Sequence, residues 1–190
     1  MDPDPLRQFA AWFADARDSE MRMPEAMALA TSTPDGAPSV RMVLMKGFDE
    51  RGFTFFTNYE SRKAGELAAN PRAALLFHWD TLGRQVRIEG EVVRVSAEES
   101  ADYIRTRPRA SQLSALASPQ SQPVESREAL EARVAELAEL EELPIPVHWG
   151  GYRLSPESYE FWQHRDDRLH DRIAYLPQEG GGWRIERLAP

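Results

Sequence analysis

Four short stretches gather cations, hydroxyls and aromatic rings at spacings suited to a phosphorylated ligand. In "RMVLMK", residues 41–46, Arg41 and Lys46 stand at the two ends of an apolar run. They are five apart, so on a regular strand they face opposite sides, and a bulge or strand end is needed for one common ligand. In "SRK", 61–63, a hydroxyl and two cations stand where a helix begins, at the positive end of its dipole. A helix built only for stability carries Asp or Glu there, whereas an anion on the exposed N–H groups accounts for the cations. In "YIRTRPRASQ", 103–112, three arginines fall within five residues, Tyr103 precedes Arg107 by one helical turn, and Ser111 follows the proline. Such a set can converge on a phosphate. In "FWQHRDDRLHDR", 161–172, Arg168, His170 and Arg172 alternate, which is the period of a strand and would place them on one face. Trp162 offers a flat surface nearby, and an arginine can lie over a ring or beside developing negative charge.

Each stretch also has a purely structural reading. Arg41 and Lys46 can be rim charges of an apolar strand, the 103–112 cations a basic loop answered by an acidic helix, and the 168–172 set a solvated strand face balanced by Asp166, Asp167 and Asp171. Composition narrows the choice. The 190-residue chain has a formal charge of -8, so general nucleic-acid binding is not expected, although a local basic pocket for a small anion is compatible. There is no cysteine, which removes disulfides, thiol nucleophiles and zinc–thiolate sites. His78, His148, His164 and His170 show no metal-binding spacing, so no metal is expected, and His78 and His148 read as structural. Neither a Rossmann fingerprint nor a P-loop occurs. No apolar run approaches a membrane span and "MDPDPLRQF" is not a signal peptide, so the cytoplasm is the expected location.

The elements that must carry these groups are mostly strands. Asp4-Pro5 opens a helix whose Leu6, Phe9, Ala10 and Phe13 form a buried stripe. "AMALATS" and "SVRMVLMKGF" pair as a hairpin across Asp35-Gly36, and "FTFFT" is a further strand. Ser61 caps a short helix that ends before Pro71. "RAALLFHW" and "RQVRIEGEVVRV" follow, the second with a parity change around Gly90 that predicts a bulge. A capping box at Ser96 and Glu99 starts another helix, a short one covers 109–117, and 125–142 is a longer acidic helix with seven Glu against two Arg. "GGYRLSP", "SYEFWQ", "DRIAYL" and "WRIERL" return to strands. No linker divides the chain, so 1–190 reads as a single α+β domain, mainly antiparallel, a barrel or sandwich with inserted helices.

These stretches, with "FFTNYESRKAGEL", "NPRAALLFHW", "RQVRIEGEV", "YIRTRPRASQLSALASPQS", "HWGGYRLSPESYEFWQ" and "WRIERLAP", resemble in order the pyridoxamine 5′-phosphate oxidase family from about residue 26 to the end. The resemblance implies a split β-barrel with peripheral helices, in a homodimer with FMN at the interface. It implies oxidation of pyridoxamine 5′-phosphate and pyridoxine 5′-phosphate to pyridoxal 5′-phosphate, with a hydride passing from C4′ to flavin N5 and O2 becoming hydrogen peroxide. FMN would be held by Arg41, Met42, Val43, Leu44, Lys46, Phe56, Thr57, Arg62, Lys63, Gln85, Gln120, Ser121, Trp162 and Arg172. Lys46, Tyr103, Arg107 and Ser111 would take the substrate phosphate, while Arg168, Leu169 and His170 would hold the pyridine ring, Arg168 and His170 as catalytic residues.

Three departures bear on substrate preference: "HRDD" stands where the family commonly has a small Gly-containing loop, Met23 where an acidic residue is common, and the basic N-terminal arm of some members is absent. Two alternatives stay open beside the oxidase, a phenazine-biosynthesis-type flavin oxidase of the same fold and a non-catalytic FMN- or pyridoxal-phosphate-binding protein.

Overall fold

The computed structural model describes all 190 residues, Met1–Pro190. Its strands are β1 (Ala26–Ser32), β2 (Pro38–Asp49), β3 (Gly52–Asn58), β4 (Arg72–Trp79), β5 (Arg84–Arg94), β6 (Trp149–Gln163), β7 (Asp171–Pro177) and β8 (Trp183–Leu188). Five α-helices accompany them: α1 (Pro5–Asp18), α2 (Arg62–Ala69), α3 (Ala97–Thr106), α4 (Arg109–Ala117) and α5 (Arg127–Ala138). Every pairing is antiparallel, in the order β3-β2-β1-β4-β5-β6-β7-β8. A further pairing of β3 with β6 closes the first six of these into a barrel, and β7 and β8 extend from it.

Alternation drives the closure. Met27 and Leu29, Phe53 and Phe55, Leu75, Phe77 and Trp79, and Val86 and Ile88 point inward and are buried. Helix α1 covers one end of this core, with Asp4 capping Leu6 N–H and Pro5 in the first turn. Its Phe9 is fully buried and meets Phe48, Phe53 and Phe77 edge-on at 4.8–5.0 Å. No helix is long and apolar enough to cross a membrane.

Three sequence expectations need correction. The two strands read in 150–163 are one continuous strand, β6. The bulge lies on β6: Glu89 pairs with Ser158 and Gly90 with Pro156, so Glu157 is the extra residue, while β5 keeps its parity and buries Val92. Gly90 is required there, because a Cβ would sit 1.9 Å from the Ser155 carbonyl oxygen. The acidic helix covers only 127–138. Glu139, Glu141 and Glu142 oppose the negative end of its dipole, and Arg109 instead donates to the carbonyls of Ala138, Leu140 and Glu141.

Candidate functional site

Strand β2 pairs with β3 only from Met45 onward, so the β3-facing edge of residues 38–44 has no strand partner. Where the two strands part lies a cavity of about 430 Å³. Arg41, Met42, Val43, Leu44 and Lys46 line it from β2, and Phe56, Thr57 and Asn58 from β3. Lys63 enters from α2, Tyr103 and Arg107 from α3 and its end, and Ser111 from α4. Gln120 and Trp149 also stand on its wall. Arg41 and Lys46 reach one cavity because the β2–β3 register slips between Met45 and Gly47, leaving Lys46 as the extra residue.

Four lining residues are cations and none is a carboxylate, in a chain of net charge -8. Lys63 is buried at the start of α2 and its Nζ donates to Gln120 Oε1 (2.6 Å), Thr57 Oγ1 (3.1 Å) and Ser61 Oγ (3.3 Å). All three acceptors are neutral. Burial, with the nearby Arg41 charge adding to it, pushes the ammonium down to about 8. Ser61 precedes the helix as expected, but its hydroxyl donates to Asn58 carbonyl oxygen and does not cap.

A second group is aromatic. Phe56 stacks on Tyr103 at 3.9 Å and on Trp149 at 5.4 Å, and the Arg107 guanidinium lies 5.4 Å from the Trp149 ring centre. Gly151 makes room for this stack, since a Cβ there would come within 2.8 Å of the Phe56 ring. Lys46 and Arg107 have no carboxylate partner, and burial raises the Tyr103 phenol above its usual range, which keeps it a neutral donor.

The remaining predicted residues do not line this cavity. Arg62 is exposed and donates through Nε to Glu66 Oε1 at 2.9 Å. Ser121 is exposed with φ of 69°. Gln85, Trp162 and Arg172 sit abreast across β5, β6 and β7, on the outer face of the barrel. Arg172 is held there by Glu160, with Nε to Oε1 at 2.7 Å.

Arg168 and His170 are not on a strand, contrary to expectation. β7 begins at Asp171, and 164–170 is a loop in which Asp167 Oδ1 accepts the Leu169 N–H at 3.0 Å. Such local acceptors compete with strand pairing. Arg168 takes φ of 64° and its side chain makes no hydrogen bond or ion pair; Leu169 is 67% exposed. His170 accepts the Arg165 N–H at Nδ1 (3.1 Å), so the neutral ring carries its proton on Nε2, and it lies 4.6 Å from the Trp162 ring. Ser121 and Arg168 are the two non-glycine residues with positive φ, and both belong to the predicted set.

Sequence reasoning missed Asn58, Ser114, Ala115, Ser118 and Trp149 on the cavity wall, and Glu66 beneath it. The i,i+4 spacing of Arg62 and Glu66 was the readable signal for the last of these.

Comparison with known proteins places this geometry. A family model described as pyridoxamine 5′-phosphate oxidase matches residues 13–141, and one described as the pyridoxine 5′-phosphate oxidase C-terminal dimerisation region matches 149–190. A pyridoxine/pyridoxamine 5′-phosphate oxidase of Rubrobacter xylanophilus is 59% identical, over 100% of this chain and 88% of that protein. One of Cupriavidus necator is 57% identical, over 99% and 90%. Among solved structures, PhzG from Burkholderia lata in complex with tetrahydrophenazine-1-carboxylic acid superposes with a TM-score of 0.94 at 37% identity, covering 100% of this chain and 94% of that one. An FMN-binding, pyridoxamine 5′-phosphate oxidase-related protein of Nostoc punctiforme shares the fold, with a TM-score of 0.79 at 20% identity and full coverage of both chains.

Proposed function

The chain belongs to the pyridoxamine 5′-phosphate oxidase family, and from that premise we propose that it oxidises pyridoxamine 5′-phosphate and pyridoxine 5′-phosphate to pyridoxal 5′-phosphate with FMN as its flavin. The observation that carries this reading is the cavity lined by four cations and no carboxylate, in an acidic protein. The residues present fit a phosphorylated flavin: Lys63 finds only neutral acceptors, and the unpartnered β2 edge at 41–44 offers main-chain groups to the polar rim of a planar ring. Bound there, the flavin would supply the two-electron redox chemistry at C4′, with O2, two electrons and two protons giving hydrogen peroxide. The imine formed from the amine substrate is hydrolysed by water with loss of ammonia; the alcohol gives the aldehyde directly.

The protein's own task is orientation and electrostatics. Lys46, Tyr103, Arg107 and Ser111 hold the substrate phosphate, and Arg168, Leu169 and His170 hold the pyridine ring. Arg41, Met42, Val43, Leu44, Phe56, Thr57, Arg62, Lys63, Gln120 and Ser121 hold FMN from one protomer, and Lys46 borders both ligands. Gln85, Trp162 and Arg172 do so from its partner. Support for a site completed by a second copy is that, in one chain, the outer-face and 164–170 groups stand apart from the cavity. Met42 on the cavity wall and Val40, two residues before it on β2, are 65% and 68% exposed, apolar surface that a homodimer would cover. We read residues 1–190 as one domain on the strength of the β3–β6 closure.

A phenazine-type oxidation is the second reading, favoured by the similarity to PhzG. The phosphate-suited set of Lys46, Tyr103, Arg107 and Ser111 weighs against it. A non-catalytic binding protein is separated by aerobic turnover. Heat-released cofactor is expected to run as FMN on chromatography, and sedimentation is expected to give a dimer. FAD, a protein that refuses FMN, or an active FMN-bound monomer would each overturn part of this assignment.

Lys63 gives a pH signature. Its pKa in the free protein is about 8, and a bound phosphate raises it, so binding takes up a proton above that pH. The Lys63 contribution to FMN affinity is therefore fully present below about pH 8 and declines as pH rises, by up to about tenfold per unit. Riboflavin, which lacks the phosphate, is expected to show a flat profile in the same fluorescence titration. Lys63→Arg is expected to flatten the FMN profile as well, since a guanidinium does not titrate there.

A further inference from the structure

Glu66 is a buried carboxylate set among the cations of an anion site, where simple electrostatics would exclude it. It is 6% exposed on α2 and spends its two oxygens in different directions. Oε1 accepts from Arg62 Nε at 2.9 Å. Oε2 accepts from Thr31 Oγ1 and Ser39 Oγ, both at 2.5 Å, and from Arg41 Nη2 at 3.3 Å. Thr31 and Ser39 face each other in the β1–β2 register, so one carboxylate ties α2 to two strands beside the place where the barrel splits.

We propose that Glu66 is a positioning residue for the ligand phosphate, holding Arg41 and Arg62 in the arrangement that binds it. The proposal rests on the flavin-phosphate reading above. The donor inventory supports it. Both Arg41 Nη atoms are engaged inside the protein, by Thr31, Ser39, Glu66 and a β1 carbonyl, which leaves its Nε–H for a ligand. Arg62 gives only Nε to Glu66, so its Nη groups stay free beside the start of α2. Charge agrees too: Arg41, Arg62 and Lys63 less Glu66 leave a net of two positive charges. A phosphate monoester carries about −1.5 to −2 at neutral pH. Hydrogen bonds from Ser39, Thr31 and Arg62 outweigh the burial that would raise the Glu66 carboxyl, holding it near 2, so the carboxylate stays ionised across the working range.

The test sets two effects against each other. If Glu66 acts only as a nearby negative charge, Glu66→Gln tightens anion binding. If it positions the arginines, Glu66→Gln weakens FMN binding to the apoprotein by about tenfold, the scale of a lost charge-assisted hydrogen bond. Riboflavin affinity, read by the same quenching of flavin fluorescence, is expected to stay within about twofold, because the effect is confined to the phosphate. Unchanged or tighter FMN binding, or parallel loss of both ligands, overturns the proposal. Should Glu66→Gln not fold, Ser39→Ala decides on the same two ligands, with an FMN-specific loss of about threefold expected for one missing hydroxyl. Wild-type protein that binds FMN no better than riboflavin would instead overturn the flavin-phosphate reading itself.

Discussion

Arg168→Leu is expected to slow flavin reduction by pyridoxamine 5′-phosphate about a hundred- to a thousandfold, the scale of removing one preorganised electrostatic group, while FMN stays bound. Nothing in the isolated fold explains Arg168. Its guanidinium has no ion-pair partner, although Asp166 and Asp167 stand beside it. Its φ of 64° is left-handed, a conformation that costs a side chain with a Cβ roughly 1–2 kcal/mol. Were it a surface residue balancing aspartates, its replacement would change little, since exposed pairs contribute about 0–1 kcal/mol. Held against the substrate ring, the guanidinium would fix the ring's angle and offset the negative charge that arrives on the flavin with the hydride. Arg168→Lys is then expected to restore only part of the rate, because an ammonium lacks the planar stacking surface. Arg168→Gly makes a useful control: it relieves the backbone, so thermal stability rises slightly while reduction remains slow. Anaerobic stopped-flow isolates the step from reoxidation. An unchanged rate at saturating substrate would return the loop to a surface role.

The strand content was legible because its signal is local. Leu75, Phe77 and Trp79 alternate with exposed neighbours on β4, and Ser61 and Pro71 bracket α2. What sequence reasoning lost was non-local. Pro156 looked like the end of a strand, yet β6 runs through it, because the bulge at Glu157 sets it against Gly90 where the ladder is already interrupted. The closing pair of β3 with β6 joins segments about a hundred residues apart and has no sequence signature of its own. The site shows the same division. Residue types pointed to a cation-lined pocket, and the five-residue spacing of Arg41 and Lys46 demanded an irregularity, which the register slip at Lys46 supplies. The alternation of Arg168, His170 and Arg172 misled, because Asp167 folds that stretch into a turn through its own side chain. Glu66 stayed hidden because its partners Thr31, Ser39 and Arg41 lie on other elements.

Arg107→Ala is expected to raise the KM for pyridoxamine 5′-phosphate about ten- to a hundredfold, the equivalent of one lost charge-assisted hydrogen bond to a phosphate. Affinity for FMN is expected to change little. The two phosphates can be separated this way because the cation groups are separate in their hydrogen bonding. Lys63 and Gln120 are bonded to each other and to Thr57, whereas Arg107 packs on Trp149 and, with Lys46, has no acidic partner. Loss of Arg107 also removes a cation from the aromatic stack, a smaller effect of roughly 0.5–1 kcal/mol at a partly exposed position. The control is the same oxidation attempted on pyridoxine, which has no phosphate. If Arg107 binds that phosphate, the variant loses its preference for the phosphorylated substrate and leaves the poor rate on pyridoxine unchanged. Equal loss of FMN affinity with substrate binding intact would assign Arg107 to the flavin instead, and with it the whole cluster of Lys46, Tyr103 and Ser111.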